Sequence, residues 1–163
     1  MILRFPEFSR EMRRGEEPAV GALLQRAFGG DGEARLVQAL RKSGAVAGEV
    51  VLPFQGGIVG YYALSRMDAP EGWLCLAPVA IDPDWQGAGH GRRLIGMLAE
   101  WARRSGTYVA VLGQVPFYER AGFNATRASR LTTPYPVAQT LIAGPGEDAP
   151  QAALSYPAAF GAM

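Results

Sequence analysis

The stretch from Trp73 to Arg104 constrains the fold more than any other part of the chain. Leu74, Cys75, Leu76, Ala77, Pro78, Val79, Ala80 and Ile81 form an unbroken apolar run, which suits a strand covered on both faces. Asp82-Pro83-Asp84 ends it, because proline has no N–H for a ladder and aspartate favours turns. Gln86-Gly87-Ala88-Gly89-His90-Gly91 follows, and beyond it Leu94, Ile95, Leu98 and Ala102 recur at helical spacing. Glycines placed there let main-chain N–H groups converge at a helix N-terminus, where unpaired donors and the helix dipole favour an anion. The order of strand, glycine turn and helix therefore predicts a phosphate-bearing ligand.

Two well-known phosphate sites fail on their residues. A P-loop needs Gly-Lys-Ser/Thr at the helix start, where this chain has Arg92-Arg93. A dinucleotide fingerprint needs G-x-G-x-x-G and a later acid, but position 92 is Arg and Thr107–Gly113 holds no carboxylate.

A third pattern fits. The segment from Val79 to Arg92 resembles the acetyl-CoA motif of the GNAT acyltransferases, Q/R-x-x-G-x-G/A, with Gln86, Gly89 and Gly91 at its fixed positions. The resemblance implies that main-chain N–H groups of Gly87, Ala88, Gly89, His90 and Gly91 bond the diphosphate. Gln86 would brace the loop and Arg92 would add charge. It further implies that the preceding strand splays from its parallel neighbour, so that the pantetheine arm lies along Val79, Ala80 and Ile81. A main-chain N–H there would polarise the thioester carbonyl, a form of oxyanion stabilisation that needs no particular side chain.

Phe117-Tyr118-Glu119-Arg120-Ala121-Gly122-Phe123 resembles the Y-x-x-x-G-F helix of the same family. The resemblance makes Tyr118 the acid that protonates the departing coenzyme A thiolate, a task suited to a phenol of pKa ~10. A tyrosine that merely packs is the plainer alternative. Leu112-Gly113, Phe117-Tyr118, Gly122-Phe123 and the tail Tyr156-Pro-Ala-Ala-Phe160 are most similar to the bacterial YhbS-like branch.

The general base stays open. Many family members carry a glutamate on the central strand, but Leu74, Cys75, Leu76 and Ala77 offer no carboxylate. Asp31, Glu33 or a water chain are the candidates. Cys75 could carry an acyl group, although a lone cysteine in an apolar strand is more simply inert core. His90 is expected to turn its side chain to solvent, and one histidine with one distant cysteine makes no metal site. Trp85 and Trp101 read as packing or surface aromatics.

The rest of the chain supports one α/β domain over residues 1–163, with a core from about 8 to 143 and an irregular tail over 144–163. The first strand is either Ile2–Phe5 or lies within Phe8–Arg13. A helix starts at Glu16-Glu17-Pro18, breaks at Gly29-Gly30-Asp31-Gly32, and a second runs from Glu33 to about Ser43. Val46–Phe54 and Ile58–Met67 flank a hairpin turn. After the Gly91–Arg104 helix, Thr107–Gly113 is a strand parallel to Trp73–Ile81. A short helix over Val115–Ala121 and closing strands at Phe123–Thr132 and Val137–Ala143 follow, with Leu154, Tyr156 and Phe160 packing back. The expected architecture is mixed α/β of the GNAT type, a central splayed sheet of about 6–7 strands flanked by about four helices.

Composition bounds the partners. At 48% hydrophobic and 19% charged residues the chain is globular, and its net charge of +1 gives no reason to expect nucleic acid or an anionic membrane. One cysteine forbids an intramolecular disulfide and suits a reducing, cytoplasmic setting. No segment reads as a signal peptide or approaches the ~20 apolar residues of a membrane helix. The expected activity is direct transfer of an acetyl group from acetyl-CoA to a primary amine of a small molecule in a ternary complex, with no metal. A protein or peptide acceptor, a non-catalytic acyl-CoA sensor, and assembly as a homodimer are the open alternatives.

Overall fold

In the computed structural model, which describes residues 5–162, six strands form one sheet in sequence order. They are β1 (Arg10–Glu11), β2 (Val46–Phe54), β3 (Gly57–Arg66), β4 (Leu74–Ile81), β5 (Val109–Leu112) and β6 (Thr140–Ala143). The helices are α1 (Glu17–Phe28), α2 (Gly32–Ser43), α3 (His90–Ser105) and α4 (Val115–Arg120). Every neighbouring pair is antiparallel except β4 and β5, which the α3 crossover makes parallel.

The local rules explain these elements. Pro18 sits in the first turn of α1, where its missing N–H costs nothing, and Gly29 ends that helix in the left-handed conformation at φ 74°. The β2–β3 turn places Gln55 and Gly56 both at positive φ, as a twisted two-residue hairpin requires. At the start of α1, Glu16 accepts from Arg10 Nη1 at 2.9 Å and Nη2 at 2.8 Å, and from the Arg13 N–H at 2.6 Å. This fork ties the short β1 to the helix that follows it.

Alternate residues of the sheet feed opposite faces. Tyr62, Leu64, Leu76, Val109, Val111 and Leu141 pack with Leu94, Ile95 and Leu98 of α3 and Tyr118 of α4. Val51, Tyr61, Ala63 and Ala80 pack on the other face with Val20, Leu23, Leu24 and Val37 of α1 and α2. Cys75, Ala110 and Ile142 form a third cluster with Trp73, Leu131 and Leu154, and Tyr156 and Phe160 pack against it. The tail thus folds back onto the sheet, as expected.

Two predicted closing strands are revised. Phe123–Thr132 makes only isolated bridges, Asn124 with Ile142 and Thr132 with Ala153, around a 3-10 turn at Thr126–Ala128. The Asn124 side chain accepts from the Arg127 N–H at 2.7 Å, and such local bonding competes with a ladder. In Val137–Ala143 only the last four residues are strand, since Val137–Gln139 curl into a 3-10 turn after Pro136. At the other end, β1 falls inside Phe8–Arg13; most of the alternative, Ile2–Phe5, lies outside the described residues.

Candidate active site

The site begins at a defect in β4. Tyr62 pairs with Val79 and Leu64 with Leu76, so Ala63 alone on β3 faces two residues, Ala77 and Pro78. Such a bulge re-aims every residue beyond it. Leu74 N–H donates across to Tyr108 O on the β5 side at 3.0 Å, whereas Asp82 N–H donates to Val59 O on the β3 side at 2.8 Å. By strand alternation, the main-chain groups of Val79 and Ile81 therefore point away from β3. Without the bulge, the alternation running from Leu74 would aim Val79 at β3.

On that side the partner strand has left. The β4–β5 ladder consists of Leu74↔Val109 and Cys75↔Ala110, and beyond it the two strands part. The wedge between them offers the N–H and C=O of Val79 and the N–H of Ile81. The Ile81 carbonyl is already held, accepting from Gln86 Nε2 at 2.9 Å, and this bond ties the glycine loop to the strand end. Asp82 adds a second anchor, accepting from Asp84 N–H at 2.9 Å and from Arg26 Nη2 of α1 at 2.9 Å.

A cleft of about 640 Å³ opens on the α3 side of the wedge. Its wall includes Val79, Ile81, Gln86, Gly87, Gly89, His90, Gly91 and Arg92 from the strand and loop. Gly89 caps α3 at φ 86°, and no side chain caps the first turn, whose N–H groups lie beside the cleft. No acidic residue stands in that turn, so the positive end of the helix dipole is not offset. Gly91 permits close approach: a Cβ there would lie 3.3 Å from Ile81 Cγ1 and 3.4 Å from Phe117 Cζ. Two of the residues named from sequence do not line the cleft. Ala80 is buried on the opposite face of the sheet, and the Ala88 side chain is turned out to solvent.

His90 departs from expectation. Its ring is buried rather than solvated, 5.5 Å from the Trp85 ring and in contact with Arg93 through Nδ1. Trp85 is itself buried against Phe54 at 4.6 Å, edge to face, and together these rings roof the loop. The loop sequence alone carries no hint of that roof, because Phe54 comes from the hairpin.

A second cavity, of about 380 Å³, lies on the α1–α2 side and shares Val79 and Tyr118 with the first. Tyr118 is nearly buried, in edge contact with Phe117 at 4.9 Å and Phe123 at 5.9 Å, and burial pushes its hydroxyl up to about 12. Gly113 makes room for it: a Cβ there would sit 2.7 Å from Tyr118 Cε2. Cys75 lies on the wall of the second cavity, but burial pushes its thiol up to about 12, so it holds its proton at neutral pH and is a poor nucleophile. Of the two acids named from sequence, Asp31 is exposed and paired with Arg35 at 2.8 Å, whereas Glu33 lines this cavity.

Sequence reasoning missed several wall residues. Arg120 lines the cofactor-side cleft from the end of α4, within the same motif as Tyr118, and Gln114 and Phe117 join it there. Phe28, Tyr135, Tyr156 and Phe160 line the second cavity, and only their aromatic character hinted at it. Among the described residues, no group of three or more His, Cys, Asp or Glu is placed to hold a metal. No helix there is long and apolar enough to cross a membrane.

A bulged, splayed strand feeds a glycine loop at an uncapped helix N-terminus, the arrangement that the resemblance to the GNAT acyltransferases implied. The family model of the acetyltransferase (GNAT) domain matches residues 45–125. The chain belongs to the GNAT family of acyl-CoA-dependent acetyltransferases. It is 36% identical over 114 residues to the uncharacterized N-acetyltransferase YhbS of Escherichia coli K12, covering 66% of this chain and 68% of that one. The crystal structure of E. coli YhbS in complex with CoA superposes with a TM-score of 0.86 at 26% identity, over 99% of this chain and 95% of that one. A GNAT family acetyltransferase from Brucella melitensis, solved with acetyl-CoA, matches at TM-score 0.77 and 28% identity, over 94% and 97% of the two chains.

Proposed function

We propose that the protein transfers an acetyl group from acetyl-CoA to a primary amine of a small molecule by direct attack in a ternary complex. The observation that carries this reading is the meeting of the two cavities. They open on opposite faces of the sheet and share only Val79 and Tyr118, at the mouth of the β4–β5 wedge. Two cavities with a common wall at Val79 and Tyr118 suit a thioester arriving from one side and a nucleophile from the other.

The chemistry follows from the wall residues. N–H groups at the foot of α3, with the Arg92 and Arg120 side chains, hold the diphosphate. The pantetheine arm lies along β4 in place of the missing strand, bonding to Val79 and Ile81. Two solved relatives hold CoA and acetyl-CoA, which supports a coenzyme site of this kind. The amine nitrogen forms its bond to the thioester carbon, and a main-chain N–H of β4 steadies the oxyanion. As the C–S bond breaks, the thiolate takes the Tyr118 proton. The nitrogen gives up its own proton to Glu33, the carboxylate on that wall, or to water.

Purified protein, acetyl-CoA and a panel of amines, polyamines, amino acids and peptides, read by thiol release, test this reading. Release with a small primary amine is expected. Release with peptides alone would make the chain a peptide acetyltransferase. Tight CoA binding without release by any acceptor would make it an acyl-CoA sensor.

A further inference from the structure

The acceptor-side cavity has a chemistry distinct from the cofactor cleft. Its volume of about 380 Å³ falls at the small end of the ~300–1,000 Å³ typical of small-molecule sites. Phe28 and Leu36 form one wall, and Tyr135, Tyr156 and Phe160 another. The second wall is a continuous aromatic surface, with Tyr135–Tyr156 at 4.9 Å and Tyr156–Phe160 at 5.7 Å, both edge to face. Two segments remote from the GNAT motif build it: the loop before β6 and the tail that packs back onto the sheet.

Charge decides what such a cavity can accept. Among the described residues its wall carries one carboxylate, Glu33, and no lysine or arginine. The cofactor cleft, by contrast, carries Arg92 and Arg120. An acceptor bearing a phosphate or carboxylate would set that charge beside Glu33 with no cation on the wall to pair it, which is unfavourable. An ammonium meets the opposite situation, a carboxylate and the faces of aromatic rings.

Resting on the acetyltransferase reading above, we infer that the acceptor is a primary amine on an aryl or alkyl body that carries neither carboxylate nor phosphate. The body lies among Phe28, Tyr135, Tyr156 and Phe160, and Glu33 receives the ammonium before it is deprotonated. Amino acids and phosphorylated amino sugars are thereby rejected.

Initial rates at saturating acetyl-CoA should compare 2-phenylethylamine with phenylalanine, which adds only a carboxylate, and with glucosamine 6-phosphate. The expected kcat/KM for 2-phenylethylamine exceeds both by about 100-fold or more. Equal or faster turnover of either charged acceptor overturns the inference and leaves the transferase reading standing. A second variant keeps the test independent of folding. Leu112 lines the cavity yet is 38% exposed, so Leu112→Arg sets a cation on the wall at a tolerant position. It should lower kcat/KM for 2-phenylethylamine about tenfold or more while CoA affinity stays within about twofold. An unchanged kcat/KM overturns the inference. Calorimetry on the CoA-saturated protein reads 2-phenylethylamine binding directly; no binding, alongside turnover of an amine that carries a carboxylate or phosphate, overturns it as well. If CoA itself fails to bind, both readings fall together.

Discussion

At the scale of single residues, Tyr118 and Gly113 act as a pair. The ring of one occupies the space that the other lacks a side chain to fill, and Tyr118 lines both cavities. Burial holds that hydroxyl near 12, above the ~10 of a free phenol, because the charged form is desolvated. The sign follows directly. Well below pH ~10 the phenol is protonated in both folded and unfolded chains, so the proposed donor role is constant there; it is lost only as pH rises towards about 12. Tyr118→Phe should therefore lower kcat by about 100-fold, evenly across neutral pH, with CoA affinity within about twofold. An unchanged kcat in a pH–rate series would remove Tyr118 from the acid role. Gly113→Ala tests the fit from the other side. Its methyl group must displace the ring, so kcat should fall with a stability loss of about 1–3 kcal/mol by denaturant titration.

At the scale of elements, short β1 has two ladder pairs and is tied to α1 by the Arg10–Glu16 fork. Hydrogen bonds from Arg10 and then from the Arg13 N–H hold the Glu16 carboxyl down to about 2, below the usual carboxylate range. A depressed acid stabilises the fold above its unfolded value of ~4.3, and that contribution fades as pH falls towards about 2. Glu16→Gln should lower the thermal midpoint at pH ~7 and flatten its fall between pH ~5 and ~2; parallel curves for wild type and variant would discount the fork. A second network binds α2 to the hairpin: Arg41 Nη2 donates to Glu49 Oε1 at 2.8 Å, and the buried Tyr61 hydroxyl donates to the same oxygen at 2.6 Å. Glu49 repels a phenolate, and burial pushes the Tyr61 hydroxyl far above its ordinary value, so it serves only as a donor.

At the scale of the molecule, the β4–β5 wedge leaves one side of β4 without a partner strand. On the function proposed above, an acyl-CoA lying along β4 supplies those contacts, so it should bind the folded chain alone and raise its stability. CoA at about 100 times its dissociation constant adds ~2.7 kcal/mol, which for a chain of this size raises the thermal midpoint by roughly 5–10 °C. No shift with saturating CoA would count against the wedge as its binding place.

The same three scales show what could be read from the sequence. The continuous apolar run gave β4, the glycine spacing gave the loop, and the 3.6-residue period gave α3, because each is a local signal with its own stop residues. Segments without such punctuation were misread. Phe123–Thr132 has strand-forming residues, yet Asn124 curls the chain through its side chain, and Arg127 fixes the turn by donating to the carbonyls of Gly144, Pro145 and Asp148. His90 looked solvated because its roof, Trp85 on Phe54, is assembled from separate elements.

By itself, then, the sequence determined the family, most of the order of elements and the place of the glycine turn before α3, since these depend on neighbours along the chain. Only the tertiary structure decided that a bulge at Ala77-Pro78 aims Val79 and Ile81 into the wedge. It alone set Glu33 rather than Asp31 on the wall of the second cavity, and made the tail's Tyr156 and Phe160 part of that wall. The reason is physical: main-chain direction in a sheet depends on register with a partner strand, and a cavity is bounded by residues far apart in sequence.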